Sequence, residues 1–267
     1  MELVDTRDLK SLDRNIVPVQ VRPRVPCLGM HILNFSKLKY KNLIEQFKDK
    51  GYKFVDFSRT PNQKKEILLR HDIDFDIGKA LEIALLENQL NVASTYFFLI
   101  RSDSYNFSTP ENIKKIKEIY NLGHKVSIHF DSTLYSSAKA GFTLEKNLFK
   151  LLTNLNTEIV SFHRPNNFYL DNNDDFFGVP HTYQDRFFKD IKYISDSGGG
   201  FFYDHPTKCD AFKNFDSMQF LTHPIWWTTK GDTNIEKIQS FLKESSKNYS
   251  VHFAKNCKPW KEFVNKS

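Results

Sequence analysis

The stretch of the sequence most suited to chemistry is ILLRHDIDFD, Ile67 to Asp76, where an apolar run is followed by three aspartates. Two of them, Asp72 and Asp74, are separated by one residue, so on an extended strand their carboxylates point to the same side. Two carboxylates that close together favour a bound cation, and carboxylate and imidazole ligands suit zinc or another first-row divalent ion. The third, Asp76, precedes a helical pattern, and we expect it to cap that helix.

Three histidines end later apolar runs: His129 in KVSIHF, His163 in IVSFH and His223 in FLTHP. We predict that His129 and His163 complete a metal site with Asp74, most simply for Zn²⁺. A metal with an open coordination position lowers the pKa of a bound water towards neutrality, and Asp72 would accept the proton of that water. His223 would donate a proton to the leaving amine.

Arg164 directly follows His163, and we expect its charge to keep Asp72 ionised. Taken together, these residue types indicate metal-assisted hydrolysis of an amide or an ester.

The residues of this site lie where strand patterns end. Apolar runs typical of buried strands alternate with amphipathic helix patterns of 10 to 15 residues. The strand-like runs are EILLRHD, VASTYFFLI, KVSIHFD, EIVSFHRP, IKYISDS and MQFLTHP. The alternation predicts an α/β fold with mainly parallel strands, most simply a barrel, in which the carboxyl ends of the strands share one mouth.

Composition limits the other function classes. The 267 residues carry a net charge of +6, but positive and negative residues are interspersed, so we expect no nucleic-acid partner. No run approaches about 18 apolar residues, so we expect no membrane insertion. The N-terminus lacks the apolar core of a signal peptide and the three cysteines are widely spaced, which favours a cytoplasmic protein.

Two segments differ in character. Residues 1–26 are charged and proline-rich without periodicity, and predict an irregular arm that either is a genuine flexible segment or does not belong to the authentic protein. Residues 27–267 are expected to form a single barrel domain.

Six motifs carry a family resemblance: LLRHDIDF, STYFFL, GHKVSIHFD, SFHRP, YISDSGG and FLTHPIWW, in this order. Between Phe35 and Trp227 the chain resembles the polysaccharide deacetylase superfamily, which has the NodB homology domain. Its nearest branch there carries RHDVD, HYD and SFHRP motifs and is associated with surface-polysaccharide genes. The resemblance implies a distorted (β/α) barrel, a divalent metal that is commonly zinc, and removal of acetyl groups from N-acetylated sugars.

The resemblance also implies roles for individual residues. Asp72 matches the catalytic base, and Asp74 and His129 match metal ligands of the first and second motifs. Arg164 matches the arginine that supports the base, and His223 matches the general acid.

One position departs from the family pattern. The second motif of the superfamily has another histidine four residues after the first, and here that position is Thr133. The third ligand therefore stays open, with His163 as first choice and Asp131 as second. The pattern equally allows a site completed by water and a site that holds no metal.

Three further residues are candidates near His223. Asp196 in ISDSGGGF either orients His223 by a hydrogen bond or forms a turn before the glycines. Trp226 and Trp227 are expected to stack on a sugar ring, unless they instead close the barrel or a lid.

The sequence therefore predicts a metal-dependent carbohydrate deacetylase. Its substrate would be an N-acetylated sugar, free, nucleotide-linked or lipid-linked, in surface glycan biosynthesis. Two different functions also agree with the motifs. One is a catalytically degenerate barrel that binds a glycan or a biosynthetic partner, with the missing histidine as its sign, and the other is a hydrolase of a non-sugar amide.

Overall fold

The computed structural model describes residues 35–202 and 204–265. The predicted arm, residues 1–26, lies outside the described residues, as do the first residues of the predicted domain. The described strands are β1 Lys53–Val55, β2 Glu66–Ile73, β3 Thr95–Phe98, β4 Lys125–Phe130, β5 Val160–Phe162, β6 Lys192–Ser195 and β7 Met218–Thr222. The described α-helices are α1 Lys37–Asp49, α2 Ile77–Gln89, α3 Pro110–Asn121, α4 Ala138–Thr153, α5 Asn167–Leu170, α6 Asp185–Phe188, α7 Asp210–Lys213, α8 Pro224–Thr228, α9 Asn234–Asn256 and α10 Lys258–Val264.

All strand pairs in the described sheet are parallel, in the order β5-β4-β3-β2-β7-β6. The short strand β1 pairs with the first half of β2, and β3 pairs with its second half. In the part of the chain that the structure describes, β5 and β6 end the sheet without pairing with each other. The fold is the expected distorted (β/α) barrel, with a sheet that curls without closing.

Strand β2 is buried along its whole length, and its side chains alternate between two environments. Ile67 and Leu69 pack with α1 and α8 on the helix side of the sheet. Leu68 packs with Phe97 and Phe187 in a separate apolar cluster inside the barrel. Residues at even positions of β2 therefore face the barrel interior, and those at odd positions face the helices.

A fully buried carboxylate, Glu87 of α2, links several elements on the helix side of β2. It accepts hydrogen bonds from the hydroxyls of Tyr40 in α1 and of Ser94 and Tyr96 at β3, and its Oε1 lies 2.9 Å from His71 Nε2. Burial alone would raise the pKa of Glu87, but the charge and hydrogen bond of His71, followed by His124, lower it to about 2. His71, although adjacent to the predicted site, belongs to this structural network.

The helices begin at polar caps that the sequence displays. Ser36, Thr109, Ser137 and Thr233 each accept a backbone N–H of the helix that follows. Asp76 does the same for α2, with its Oδ1 2.8 Å from the backbone nitrogen of Lys79, so the predicted capping role is confirmed.

The longest described helix, α9, packs its first half against the barrel through Phe241 and exposes much of its second half. Helix α10 folds back on it, since the indole N–H of Trp260 donates to the backbone oxygen of Ser250 at 3.1 Å. Among residues 35–202 and 204–265, no helix combines the length and the apolar character needed to cross a bilayer.

Candidate active site

The predicted site residues lie at the carboxyl ends of four parallel strands. Asp74 directly follows β2, His129 belongs to β4, His163 follows β5 and His223 follows β7. Because the strands run in the same direction, their carboxyl ends meet at one mouth of the barrel. Side chains far apart in sequence thereby face one another there.

Three of these side chains form a compact triangle. Asp74 Oδ1 lies 3.3 Å from His129 Nε2 and 3.5 Å from His163 Nδ1, and the two histidine nitrogens are 3.2 Å apart. A tetrahedral zinc ion with bonds of about 2.0–2.1 Å holds its ligand atoms about 3.3 Å apart, so the spacing fits such an ion. Asp74 Oδ1 is also buried without a hydrogen-bond donor, as an oxygen reserved for a cation would be.

His163 therefore occupies the place in the triangle that the sequence left open. Thr133, at the position of the usual histidine, donates its hydroxyl to Asp131 Oδ1 at 2.6 Å and its backbone N–H at 3.0 Å. The other oxygen of Asp131, Oδ2, lies 4.0 Å from His163 Nε2. Of the two candidate ligands, His163 is therefore the one that forms the triangle with Asp74 and His129. Asp131 lies on the opposite side of the His163 ring, next to its other nitrogen.

The pKa shifts of Asp74 and His163 are in the directions that metal ligands need. Burial alone would raise the pKa of Asp74, but its contact with His129 and the charges of His223 and His163 lower it well below its usual range. Burial and the neighbouring His129 lower the pKa of His163. An ionised carboxylate and a neutral imidazole are the forms in which Asp74 and His163 would bind a divalent ion.

Asp72 faces the barrel interior beside the triangle, with its Oδ2 3.7 Å from His129 Nε2. Arg70, two residues earlier on the same face of β2, donates from Nη2 to that oxygen at 3.0 Å. Ser161 of β5 donates its hydroxyl to the same carboxylate at 3.2 Å. Asp72 is thus buried with one positive neighbour and a hydroxyl donor.

The expected pairing of Arg164 with Asp72 is corrected by this arrangement, in which Arg70 is the paired arginine. Arg164 follows the end of β5 with a left-handed backbone, φ +56°, and is exposed to solvent. Its Nε donates to His163 Nε2 at 3.0 Å. The alternation of side chains along β2 would have identified Arg70 from the sequence.

His223 is held by Asp196, as one of the two interpretations of that aspartate predicted. Asp196 is fully buried; its Oδ1 lies 2.6 Å from His223 Nδ1 and also accepts the backbone N–H of His223. Burial would lower the pKa of His223, but the hydrogen bond and charge of Asp196, with Asp74 and Asp72, raise it to about 9. His223 Nε2 points towards the triangle, 3.8 Å from Asp74 Oδ2.

The prediction that Trp226 and Trp227 stack on a sugar ring is corrected by their burial. Their exposed fractions are 7% and 3%, and both belong to the apolar core between β2, α1 and α8. The indole N–H of Trp227 donates to Asp196 Oδ2 at 2.7 Å, and its ring stacks on Phe35. Both indoles therefore belong to the core between the sheet and the helices, so they neither reach a sugar in the cleft nor fill the barrel interior.

A cleft of about 850 Å³ opens from the triangle to the surface. It is lined by Asp74, Phe75, Asp131, His163 and Arg164, by the segment 99–107, and by Leu134 and Tyr249. Tyr105 in this segment was missed in the sequence; its hydroxyl donates to the backbone oxygen of Ile73 at 2.7 Å and accepts the N–H of Leu99, which fixes the cleft wall beside Asp74. No sequence signal distinguishes Tyr105 from the other loop aromatics.

Comparison with known proteins gave distant structural similarity only. No protein-family model and no curated protein matches the chain. One similar solved structure is a peptidoglycan deacetylase from Bacillus subtilis, at 14% identity, covering 79% of this chain and 99% of that one, with a TM-score of 0.42. Another is the CE4 domain of a multidomain xylanase from the hindgut metagenome of Trinervitermes trinervoides, at 16% identity, 70% and 85% coverage and a TM-score of 0.40. A third is a CE4 family pseudoenzyme from Bacillus anthracis, at 14% identity, 70% and 62% coverage and a TM-score of 0.37.

Proposed function

We propose that this chain is a metal-dependent hydrolase of the polysaccharide deacetylase superfamily, which removes the acetyl group from an N-acetylated sugar. The observation that carries the proposal is the triangle of Asp74 Oδ1, His129 Nε2 and His163 Nδ1, with sides of 3.2–3.5 Å. A potential proton acceptor, Asp72, lies beside His129, and a potential proton donor, His223, lies beside Asp74.

Asp74, His129 and His163 are the residues that would hold the ion, and zinc suits one carboxylate with two imidazoles. A divalent ion bound there supplies a Lewis acid, which polarises the acetyl carbonyl and lowers the pKa of water.

In this proposal Asp72 takes the proton of the attacking water on a carboxylate oxygen. Arg70 and Ser161 contact that carboxylate at 3.0 and 3.2 Å, so its orientation is fixed before substrate binds.

His223 then gives a proton from Nε2 to the nitrogen of the departing amino sugar. At neutral pH it carries this proton, since its pKa is raised to about 9. The Asp196 carboxylate holds the other ring nitrogen at 2.6 Å and so directs Nε2 towards the triangle.

The sugar assignment is supported by the family motifs and by the polar cleft. Ser102, Asp103, Ser104 and Asn106 line the cleft beside the triangle and offer hydroxyl, carboxylate and amide groups to the hydroxyls of a sugar. We propose an intermediate of surface glycan synthesis as the substrate, in free, nucleotide-linked or lipid-linked form.

One contact favours the second candidate function, a degenerate barrel that binds a glycan without hydrolysing it. Arg164 Nε is a donor only, so its bond to His163 Nε2 requires that nitrogen to accept and leaves the proton on Nδ1. For Nδ1 to serve as a ligand, Nε2 must carry the proton and donate it, with Asp131 Oδ2 as the nearby acceptor.

Metal analysis combined with acetate release tests the proposal. The purified chain should hold one divalent ion and release acetate from N-acetylglucosamine oligosaccharides. Asp72→Asn should lower the rate by a factor of about 10² to 10⁴, the usual contribution of a general base. The control Asp210→Asn changes an exposed carboxylate of α7 that does not line the cleft, and it should leave the rate unchanged.

Two outcomes would replace the proposal. A chain that binds no divalent ion and releases no acetate after metal addition would be the degenerate barrel. Acetate release from the acetamides of simple amines, with none from N-acetylated sugars, would identify a hydrolase of non-sugar amides.

A further inference from the structure

A groove of about 830 Å³ runs between the exposed half of α9 and the returning helix α10. Its apolar lining consists of Leu242, Tyr249, Phe253, Cys257 and Trp260. Leu242 and Phe253 leave 59% and 55% of their surface exposed, which is high for large apolar side chains so close together.

The groove has a defined far wall. The indole N–H of Trp260 donates to both the backbone oxygen and the hydroxyl of Ser250, at 3.1 and 3.2 Å. These bonds hold the Trp260 ring against α9, so the apolar channel is present before any ligand binds. Apart from the hydroxyl of Tyr249 and the thiol of Cys257, the polar side chains that line it are those of Ser245, Ser246 and Ser250.

The groove adjoins the cleft at Tyr249. Tyr249 lines the groove together with Phe253, and it also lines the cleft that contains Asp74 and His163. A ligand whose acetyl group lies at the triangle would reach the groove at Tyr249. Cleft and groove together present a polar end and an apolar end to one molecule.

We propose that the groove binds the hydrocarbon chain of an amphiphilic substrate, whose N-acetylated sugar occupies the cleft. The inference rests on the proposed function and specifies its substrate class as a sugar that carries a long alkyl, acyl or isoprenoid chain. A hydrocarbon chain needs no hydrogen-bond partners, which agrees with a lining of aromatic, aliphatic and sulfur groups.

A series of alkyl glycosides of N-acetylglucosamine, from methyl to octyl and below their micellar concentrations, tests the substrate class. Complete burial of a methylene changes affinity about fourfold, so in this open groove we expect KM to fall about twofold for each added methylene. The double variant Leu242→Gln with Phe253→Gln should lose most of this dependence and keep the KM of the methyl glycoside.

Val251→Gln is the matched control, because Val251 is 53% exposed on the same helix but does not line the groove. It should retain the dependence on chain length. A KM independent of chain length, or an equal loss of the dependence in Val251→Gln, would overturn the proposal.

A binding measurement keeps this test separate from that of the proposed function. Of the three tryptophans, Trp260 is the exposed one, at 36%, so an octyl glycoside brominated along its chain should quench its fluorescence. Quenching without acetate release would support the groove and refute the deacetylase. Acetate release without quenching would support the deacetylase and refute binding of the hydrocarbon chain in the groove.

Two other occupants give distinct results that would also overturn the proposal. A second copy of the chain would double the sedimenting mass, and the double variant would restore the monomer. A membrane surface would give binding to anionic vesicles with no quenching by monomeric glycosides.

Discussion

Replacement of Arg70 by methionine should destabilise the fold far more than any surface charge change. Arg70 is fully buried and donates hydrogen bonds to Asp72, Tyr183, Gln219 and Thr182. Methionine matches the arginine stem in bulk but leaves Asp72 as a buried carboxylate without its counter-charge.

Loss of one partner of a buried ion pair costs about 3–5 kcal/mol, and a buried acceptor left without its donor costs about 1–3 kcal/mol more. We therefore expect Arg70→Met to lower the free energy of unfolding by about 5 kcal/mol. Combining it with Asp72→Asn removes the stranded charge, so the double variant should be about 2 kcal/mol more stable than Arg70→Met alone.

Urea unfolding followed by circular dichroism, in chelator so that bound metal does not contribute, measures these differences. Arg164→Met is the matched control, because Arg164 is exposed, and it should change the free energy of unfolding by less than about 0.5 kcal/mol. A loss below about 1 kcal/mol for Arg70→Met, or no recovery in the double variant, would refute the assigned pairing with Asp72.

Three other perturbations have expected outcomes. Asp196→Asn removes the charge that raises the pKa of His223 to about 9, so the alkaline limb of the pH–rate profile should move to lower pH; an unmoved limb would exclude His223 as the acid. Burial raises the pKa of Glu145 to about 7, so the folded state keeps a proton that the unfolded chain releases. Stability should fall as pH rises from about 4.5 to 7, and Glu145→Gln should flatten this slope in urea midpoints; an unchanged slope would contradict the assignment. Arg164→Met frees His163 Nε2, so calorimetric titration should give severalfold tighter Zn²⁺ binding, and an equal affinity would count against competition at that nitrogen.

The sequence was sufficient for the main strands and for most of the long helices. Their hydrophobic periods and caps are local properties, so the predicted run EILLRHD became β2 and Asp76 capped α2. The sequence also predicted that Asp74, His129 and His163 lie close together, because each follows or ends a parallel strand and the carboxyl ends of parallel strands meet at one mouth of the barrel. Three-residue β1 and the short helices α5, α6 and α7 have too few residues to show a period.

The contacts that were missed depend on tertiary direction, which one-dimensional spacing does not contain. Arg164 adjoins His163 in sequence, but its left-handed backbone turns its side chain away from Asp72. Trp226 and Trp227 follow His223 in a short helix whose turn directs both indoles into the core. Closeness in sequence to a site residue did not predict contact with the site at these positions, because the backbone dihedrals after a strand end decide where the next side chains point.

The alternation of β2 has a consequence for how this chain can change. His71 and Asp72 are adjacent, yet one belongs to the network of Glu87 and the other to the barrel mouth. Deleting or inserting a single residue before them would send the carboxylate into the helix layer and the imidazole into the mouth. Variation by insertion and deletion should therefore be confined to the loops of this barrel, while β2 admits change only by substitution.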